Sequence, residues 1–336
     1  MFPEMLRYKM TGAGPASPRH VCRSGLGVGL RDGAIDAKLR QKRAVLLDQF
    51  GVLHDGQKLY PGAREAVEYL HRECGLRVLI VSNSSRRSSG ALRNLEKKGI
   101  DITCIEDVIT SGEVTWSALS AAPREDAFRG LRRCVHFTWG DRGAISLEGL
   151  DVEVVGRDVG RADFILAHGT EAVGTSDGPS ACSLDEMNAL LEQAAGAGLP
   201  MLVANPDLVT VDGPELRVMP GTLARHYERI GGGAVYRMGK PDRRIYEEAL
   251  RMLGLEASEM IMIGDSLEHD IFGAASMSID SIFIAGGIHK DVAMTASGDG
   301  DGDNGDGERS IDEAGVDRLC REFACRPTFV LPRFRC

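Results

Sequence analysis

Two apolar quartets in distant parts of the chain each run into an aspartate. Ala44-Val45-Leu46-Leu47 ends at Asp48, and Met260-Ile261-Met262-Ile263 ends at Gly264-Asp265. A run this short and this uniformly apolar is the pattern of a strand buried on both faces, as inside a parallel sheet covered by helices. Val78-Leu79-Ile80-Val81 repeats it and ends at Ser82-Asn83-Ser84-Ser85, and Ser281-Ile282-Phe283-Ile284 supplies a fourth strand. Ala63 to Cys74 carries Ala66, Val67 and Leu70 at helical spacing behind Pro61-Gly62, so the first and third runs bracket a helix and imply a right-handed crossover. A helix from Asp242 to Leu253 and another through Ala275 flank the Met260 strand, and the two ends read as halves of one doubly wound α/β domain.

Between them, roughly Trp116 to Val235 has strands of its own at Val135 to Thr138, Val152 to Val155, Phe164 to Ala167 and Met201 to Ala204, with a helix from Leu184 to Ala197. The expected organisation is an extension over residues 1–43, a core domain over 44–120 and 236–336, and an inserted domain over 121–235. With 336 residues and 43% hydrophobic content, the chain can fill cores of that number.

A formal charge of −9 counts against a surface built for nucleic-acid backbones. The eight cysteines form no CxxC pair and accompany no zinc-spaced histidine cluster, which reads as reduced intracellular thiols. No apolar run approaches the roughly 18–20 residues that cross a bilayer, so no membrane partner is expected. The first 43 residues hold nine Lys or Arg against three acidic residues without sustained periodicity. That composition fits a disordered extension or a transit peptide equally, giving the cytoplasm, or a plastid or mitochondrion, as the expected location. Ser297 to Gly307 is an Asp/Gly stretch resembling a calcium loop, but Asn304 stands where such a loop needs Gly and Ser310 where it needs Glu, so a solvated loop is expected. Gly25 to Gly29 and Gly231 to Gly233 lack the spacing of a dinucleotide fingerprint.

In a parallel sheet the strand ends converge, and ligands gather beyond them. That brings together Asp48, Ser82, Lys240 in Gly239-Lys240-Pro241, and Asp265 with Asp270. Two carboxylates at the ends of different buried strands repel unless a cation lies between them, and oxygen-only ligands suit Mg²⁺. One mechanism unites the set. Asp48 is the nucleophile; Asp48, Asp265 and the Phe50 carbonyl hold Mg²⁺. Lys240, the Ser82 hydroxyl and the backbone N–H of Asn83 hold phosphoryl oxygens. Asp270 is expected to reach a metal-bound water, to pair with Lys240, or to lie on the helix surface. Ser84 and Ser85 are expected to cap a helix starting near Arg86, leaving Ser82 free, and Arg86 and Arg87 to lie exposed in its first turn.

These segments resemble the four motifs of haloacid dehalogenase-type phosphatases. The resemblance covers about residues 44 to 120 and 236 to 290. It implies a Rossmann-like core, a class II cap in the long insertion, a small phosphorylated metabolite as substrate, and allows a homodimer through the cap. Ala204-Asn205-Pro206-Asp207 is similar to a segment in the caps of subclass IIA, where Asn205 and Asp207 either read the substrate or form an Asx turn. Asp48-Gln49-Phe50-Gly51-Val52-Leu53-His54-Asp55-Gly56 looks most like a branch of that subclass with an aromatic residue two places after the nucleophile. Most relatives carry there a second aspartate that protonates the leaving group, and losing such a group costs about 10²–10⁴-fold in rate. The resemblance therefore leaves three outcomes: slow turnover of alkyl phosphates with a preference for good leaving groups, a substitute acid in His54 or Asp55, or a weak or inactive protein that binds phosphometabolites for regulation.

Overall fold

The computed structural model describes residues 25–121, 125–140, 145–212, 215–295 and 310–336. The Asp/Gly stretch compared with a calcium loop lies outside the described residues. The described chain runs through β1 (Gly25–Leu26), α1 (Gly33–Leu39), β2 (Ala44–Leu47), α2 (Ala63–Glu68), β3 (Arg77–Ser82), α3 (Ser88–Lys98), β4 (Asp107–Thr110) and α4 (Ser111–Ser120). A second region contains β5 (Arg133–Thr138), β6 (Glu153–Val154), β7 (Phe164–Ala167), β8 (Ala172–Thr175), β9 (Gly178–Ala181), α5 (Leu184–Gly196), β10 (Met201–Val203), β11 (Val209–Asp212), β12 (Glu215–Val218), α6 (Pro220–Arg229) and β13 (Val235–Arg237). The chain returns through α7 (Arg243–Leu253), β14 (Met260–Gly264), α8 (Phe272–Ser276), β15 (Asp280–Ile284), α9 (Lys290–Ala293), α10 (Glu313–Glu322) and β16 (Phe329–Leu331).

The first sheet has seven strands in the order β1-β16-β15-β14-β2-β3-β4, every pairing parallel. From β2 the chain builds outward through β3 and β4; on its return it builds β14, β15 and β16 on the opposite side. The segments leaving β2 and β14 therefore diverge and open a crevice at the strand ends, the topological switch point where ligands of such sheets bind. The Asp48 N–H donates to the Ile263 carbonyl at 3.0 Å, which locks the ends of these two strands together.

Alternation along the quartets assigns their residues to two cores. Val45 and Leu47 pack with Ile261, Ile263, Val78 and Ile80 on one side, while Ala44 and Leu46 pack with Leu79, Val81, Met260 and Met262 on the other. Both faces are covered, which is why the strands read as uniformly apolar.

The second sheet runs β13-β10-β7-β5-β8-β9 with β6 beside β5; β13, β10, β7 and β5 pair in parallel, and β8 and β9 are antiparallel. One face packs against α5 and α6 through Ile165, Val203, Leu191 and Leu223. The other sends Cys134, Phe164, Leu166 and Leu202 into the core that contains Ile245 and Tyr246 of α7. The architecture is a doubly wound parallel core carrying an inserted α/β cap, and the two share an apolar boundary.

Two local expectations need correction. Residues 25–43 are not an unstructured extension. β1 pairs with β16, and Leu30, Ile35 and Leu39 are fully buried against the β2 side of the core. Lys38 and Lys42 both reach Asp280, at 2.8 and 2.7 Å. A seven-residue helix with the apolar pair Ile35 and Leu39 offers too little periodicity to be read from sequence, and tertiary burial rather than propensity forms it. Second, the helix after β3 starts at Ser88, and neither Ser84 nor Ser85 caps it. The Glu113 carboxylate of α4 accepts the Ser88 N–H at 3.1 Å and pairs with Arg87 at 2.7 Å, so the cap comes from another helix. Arg87 is thereby held, with its guanidinium 3.9 Å from the Trp116 ring, while Arg86 is exposed as expected.

If residues 25–43 belong to the core, Ile35→Ala should cost about 2–5 kcal/mol in urea unfolding. A loss below about 0.5 kcal/mol, typical of surface positions, would return this segment to the status of an appendage.

Candidate active site

Asp48 follows β2 directly and Asp265 follows β14, so their positions are set by the strand pairing that joins Leu47 to Ile263. Asp270 lies on the π-helical turn Leu267–Ile271 ahead of α8, where its Oδ2 accepts the Ser266 N–H at 3.0 Å. Ligand oxygens of the three carboxylates lie within 4.8 Å of one another, and all three residues are buried. Lys240, also buried, approaches from the segment between β13 and α7, with its Nζ 2.5 Å from Asp48 Oδ1 and 2.7 Å from Asp270 Oδ1. Of the three settings expected for Asp270, the ion pair with Lys240 is the one observed, and its burial overturns the helix-surface reading. The Tyr246 hydroxyl of α7 fixes the same turn by donating to the His269 carbonyl at 3.0 Å.

The electrostatics follow from that packing. Burial pushes the Asp48 carboxyl up to about 7 against the opposing pull of Lys240. Burial and the neighbouring charges of Asp48 and Asp270 push Asp265 well above the usual carboxylate range. Burial disfavours the Lys240 ammonium, yet Asp270 and Asp48 outweigh it and hold the lysine protonated. With all three carboxylates ionised, the single ammonium would leave an excess of two negative charges in a buried space, and the raised carboxyl pKa values reflect that cost.

The backbone around Asp265 is built for close approach. Its Oδ2 accepts the Ile288 N–H at 2.7 Å. Gly51, at φ +79°, and Gly287 both lie where a Cβ would overlap this carboxylate. Gly51 thus meets two demands at once, a left-handed backbone and an absent side chain. The adjacent Phe50 side chain is 40% exposed and meets the His54 ring edge-on at 4.6 Å between centroids. No described residue donates to the Phe50 carbonyl.

The turn after Asp48 accounts for the other two nearby candidates. Asp55 Oδ1 accepts the N–H groups of Gln57 and Lys58, at 2.8 and 2.7 Å, while Lys98 Nζ donates to the Gly56 and Gln57 carbonyls. His54 is fully buried, and its Nδ1 accepts the Gly56 N–H at 3.1 Å. Burial, with Lys98 nearby, lowers its pKa to about 4. Its Nε2 and the Nε2 of Gln49 are buried without partners among the described residues.

Ser82 ends β3 with its hydroxyl buried and accepting the Ser84 N–H at 3.3 Å. Asn83 is a junction. Its Oδ1 accepts the Lys240 N–H at 2.7 Å, and its Nδ2 donates to the Lys240 carbonyl at 3.1 Å and to Asp207 Oδ1 at 2.8 Å. Asp207 also lies 3.3 Å from His269 Nδ1, and its N–H is held by Asn205 Oδ1 at 3.0 Å. Asn205 and Asp207 therefore form the Asx turn, and Asp207 ties the cap to both sides of the core crevice.

Other tertiary contacts escape sequence reading. Trp139 Nε1 of the cap donates to Ser85 Oγ at 3.0 Å, and Ser111 Oγ lies 3.4 Å from Asn83 Oδ1. The Thr110-x-x-Glu113 spacing was the available signal for the start of α4, since Thr110 accepts the Glu113 N–H at 3.0 Å. It does not disclose that Glu113 itself turns to Ser88.

The donor set fits a hard divalent cation: carboxylate oxygens at the ends of two adjacent strands and on the turn that follows, with raised carboxyl pKa values that a nearby positive charge would reverse. Fold and site together define an α/β protein with a buried acidic cluster at the switch point of its parallel sheet. Residues 45–153 match the family model described as haloacid dehalogenase-like hydrolase, and residues 237–302 match a second, described as HAD-hydrolase-like. A sugar phosphatase of Bacillus subtilis is 26% identical over 230 residues, covering 68% of this chain and 77% of that protein. A haloacid dehalogenase-like hydrolase from Brucella suis superposes with a TM-score of 0.68 at 27% identity, covering 89% and 98% of the two chains. A glycerol phosphate phosphatase from Mycobacterium tuberculosis, solved with magnesium, superposes at 0.55 with 21% identity, covering 74% and 70%. The chain belongs to the haloacid dehalogenase-like hydrolases and is of the phosphatase type.

Gly51→Ala should weaken divalent-cation affinity by about 10–100-fold in calorimetric titration, the range for changes next to metal ligands, while the circular dichroism spectrum stays native. Unchanged affinity would contradict the close contact between Gly51 and Asp265.

Proposed function

We propose that the protein is a Mg²⁺-dependent phosphomonoester hydrolase that acts on a small phosphorylated metabolite through an aspartyl-phosphate on Asp48. The observation that carries this reading is the buried contact of Lys240 with both Asp48 and Asp270, with Asp265 within reach of the same ion. Asp48, Asp265 and the Phe50 carbonyl would hold Mg²⁺, which when bound neutralises charge on the transferring phosphoryl group. Lys240 orients the Asp48 carboxylate and, with the Ser82 hydroxyl and the Asn83 N–H, holds phosphoryl oxygens as charge develops. Asp270 fixes Lys240. Asn205 and Asp207 hold the cap loop against Asn83 rather than reading the substrate, a role supported by the engagement of Oδ1 of each in the Asx turn and the contact with Asn83.

The names of the relatives favour a sugar or polyol phosphate. In this reading residues 44–120 and 236–336 form the catalytic core, joined by 25–43, and 121–235 form the cap, whose sheet extends to Arg237.

Asp48→Asn should lower turnover of p-nitrophenyl phosphate by about 10⁴-fold or more, as loss of a covalent nucleophile does elsewhere. EDTA should abolish wild-type turnover and Mg²⁺ restore it. Turnover retained by Asp48→Asn would refute the nucleophile. Tight phosphometabolite binding without wild-type turnover would favour the regulatory reading.

A further inference from the structure

The amide of Asn83 is fully engaged. Its Oδ1 accepts the Lys240 N–H at 2.7 Å, and its two Nδ2 protons go to the Lys240 carbonyl at 3.1 Å and to Asp207 Oδ1 at 2.8 Å. A side-chain amide can turn over and exchange its acceptor for its donors, but the Lys240 N–H is matched only when Oδ1 faces it. An ionised carboxylate accepts and never donates. With Asp207 beside it, Asn83 has one orientation left, Nδ2 toward the cap and Oδ1 toward the Lys240 N–H.

Asp207 is itself held on several sides. Its N–H donates to Asn205 Oδ1 at 3.0 Å, and its carbonyl accepts the Gly221 N–H of α6 at 3.0 Å. A Cβ on Gly221 would overlap the Pro206 and Asp207 carbonyl oxygens, and one on Gly239 would overlap Ser111 Oγ and Asn83 Oδ1 and stand 3.0 Å from Pro206 Cδ. Pro206-Asp207 is therefore wedged between α6 of the cap and the segment that leads into Lys240. Asp207 Oδ1 also lies 3.3 Å from His269 Nδ1, on the turn that carries Asp270. One carboxylate oxygen of the cap thus reaches the amide that holds the lysine backbone and the turn that holds its ion-pair partner.

We propose that Asp207 is a positioning residue of the active site, acting through Asn83 to set where Lys240 meets Asp48, so that the cap raises the rate of phosphoryl transfer without touching the substrate. The inference goes beyond the hydrolase reading and rests on it, since Lys240 must serve a reacting Asp48. Lys240 Nζ lies 2.5 Å from Asp48 Oδ1 and 2.7 Å from Asp270 Oδ1, so any shift of its backbone lengthens or tilts these contacts. Misplacement of about 1 Å, caused away from the chemistry, costs about 10²-fold in rate. Because the effect falls on the lysine, it is the same for every substrate.

The test compares the full-length wild-type protein with Asp207→Ala, Asp207→Asn and Asp207→Glu in Mg²⁺, on p-nitrophenyl phosphate and on glycerol phosphate, with melting temperatures measured alongside. Asp207→Ala should lower kcat by about 10–100-fold, by the same factor on both substrates and with KM little changed. Asp207→Asn keeps an acceptor oxygen for Asn83 and should recover most of the lost rate. Asp207→Glu keeps the charge but carries its oxygens one methylene too far, and should resemble Asp207→Ala. In an Asn83→Ala background, Asp207→Ala should cost no further rate, as expected of two residues acting in series. A raised KM with kcat kept, or a loss on one substrate alone, would make Asp207 a substrate contact and overturn the proposal. So would a loss in Asp207→Asn as large as that in Asp207→Glu, a comparison that decides the matter even if Asp207→Ala fails to fold. Wild-type kcat in Asp207→Ala while Asp48→Asn is inactive overturns this inference alone. Turnover that persists in Asp48→Asn, or no wild-type turnover of either substrate, overturns the hydrolase reading and this inference with it.

Discussion

A buried ammonium set among three carboxylates is the constraint on which the rest of this structure depends. Lys240 pairs with both Asp48 and Asp270 but leaves Asp265 with a single backbone donor. Burying uncompensated charge is expensive enough that such groups neutralise or acquire partners. The raised carboxyl pKa values express the first response, and a divalent cation is the second. Much of the architecture serves to hold the cluster together. The β2 and β14 strands are adjacent, their ends are hydrogen-bonded, and glycines flank Asp265 so that backbone can approach its oxygens.

The same cluster is coupled to the cap through one side chain. Asn83 grips the backbone of Lys240 from both sides and receives Asp207 from the cap on its remaining amide proton. A displacement of the 205–207 loop would break bonds at the residue that holds the backbone of Lys240. The shared apolar boundary, with Phe164 and Leu202 of the cap against Ile245 and Tyr246 of α7, adds a broad non-directional contact. Polar specificity and hydrophobic area thus act on the same boundary.

What was legible in the sequence was what local pattern encodes. The apolar quartets disclosed β2, β3, β14 and β15, because a strand covered on both faces has no polar alternation. Their shared direction places Asp48, Ser82, Lys240 and Asp265 at one end of the sheet. Contacts between positions far apart in the chain were not legible. Asn83 and Lys240 are 157 residues apart, and nothing local marks their pairing. Glu113 carries a local capping signal that its side chain abandons for Ser88 and Arg87. The helix holding Ile35 and Leu39 is too short to display a period and exists because the core receives it. His54 and Asp55 looked chemically available in sequence, and nothing local discloses that the turn engages Asp55 Oδ1 and buries His54.

The central claim is that one divalent cation bridges acidic groups from opposite ends of the chain. The most direct measurement is an anomalous difference map from crystals grown with Mn²⁺ in place of Mg²⁺. The account predicts one peak about 2.1 Å from carboxylate oxygens of both Asp48 and Asp265, the distance at which Mg²⁺ is held. A map in which no metal lies between them, with Lys240 the sole cation against these carboxylates, would contradict it.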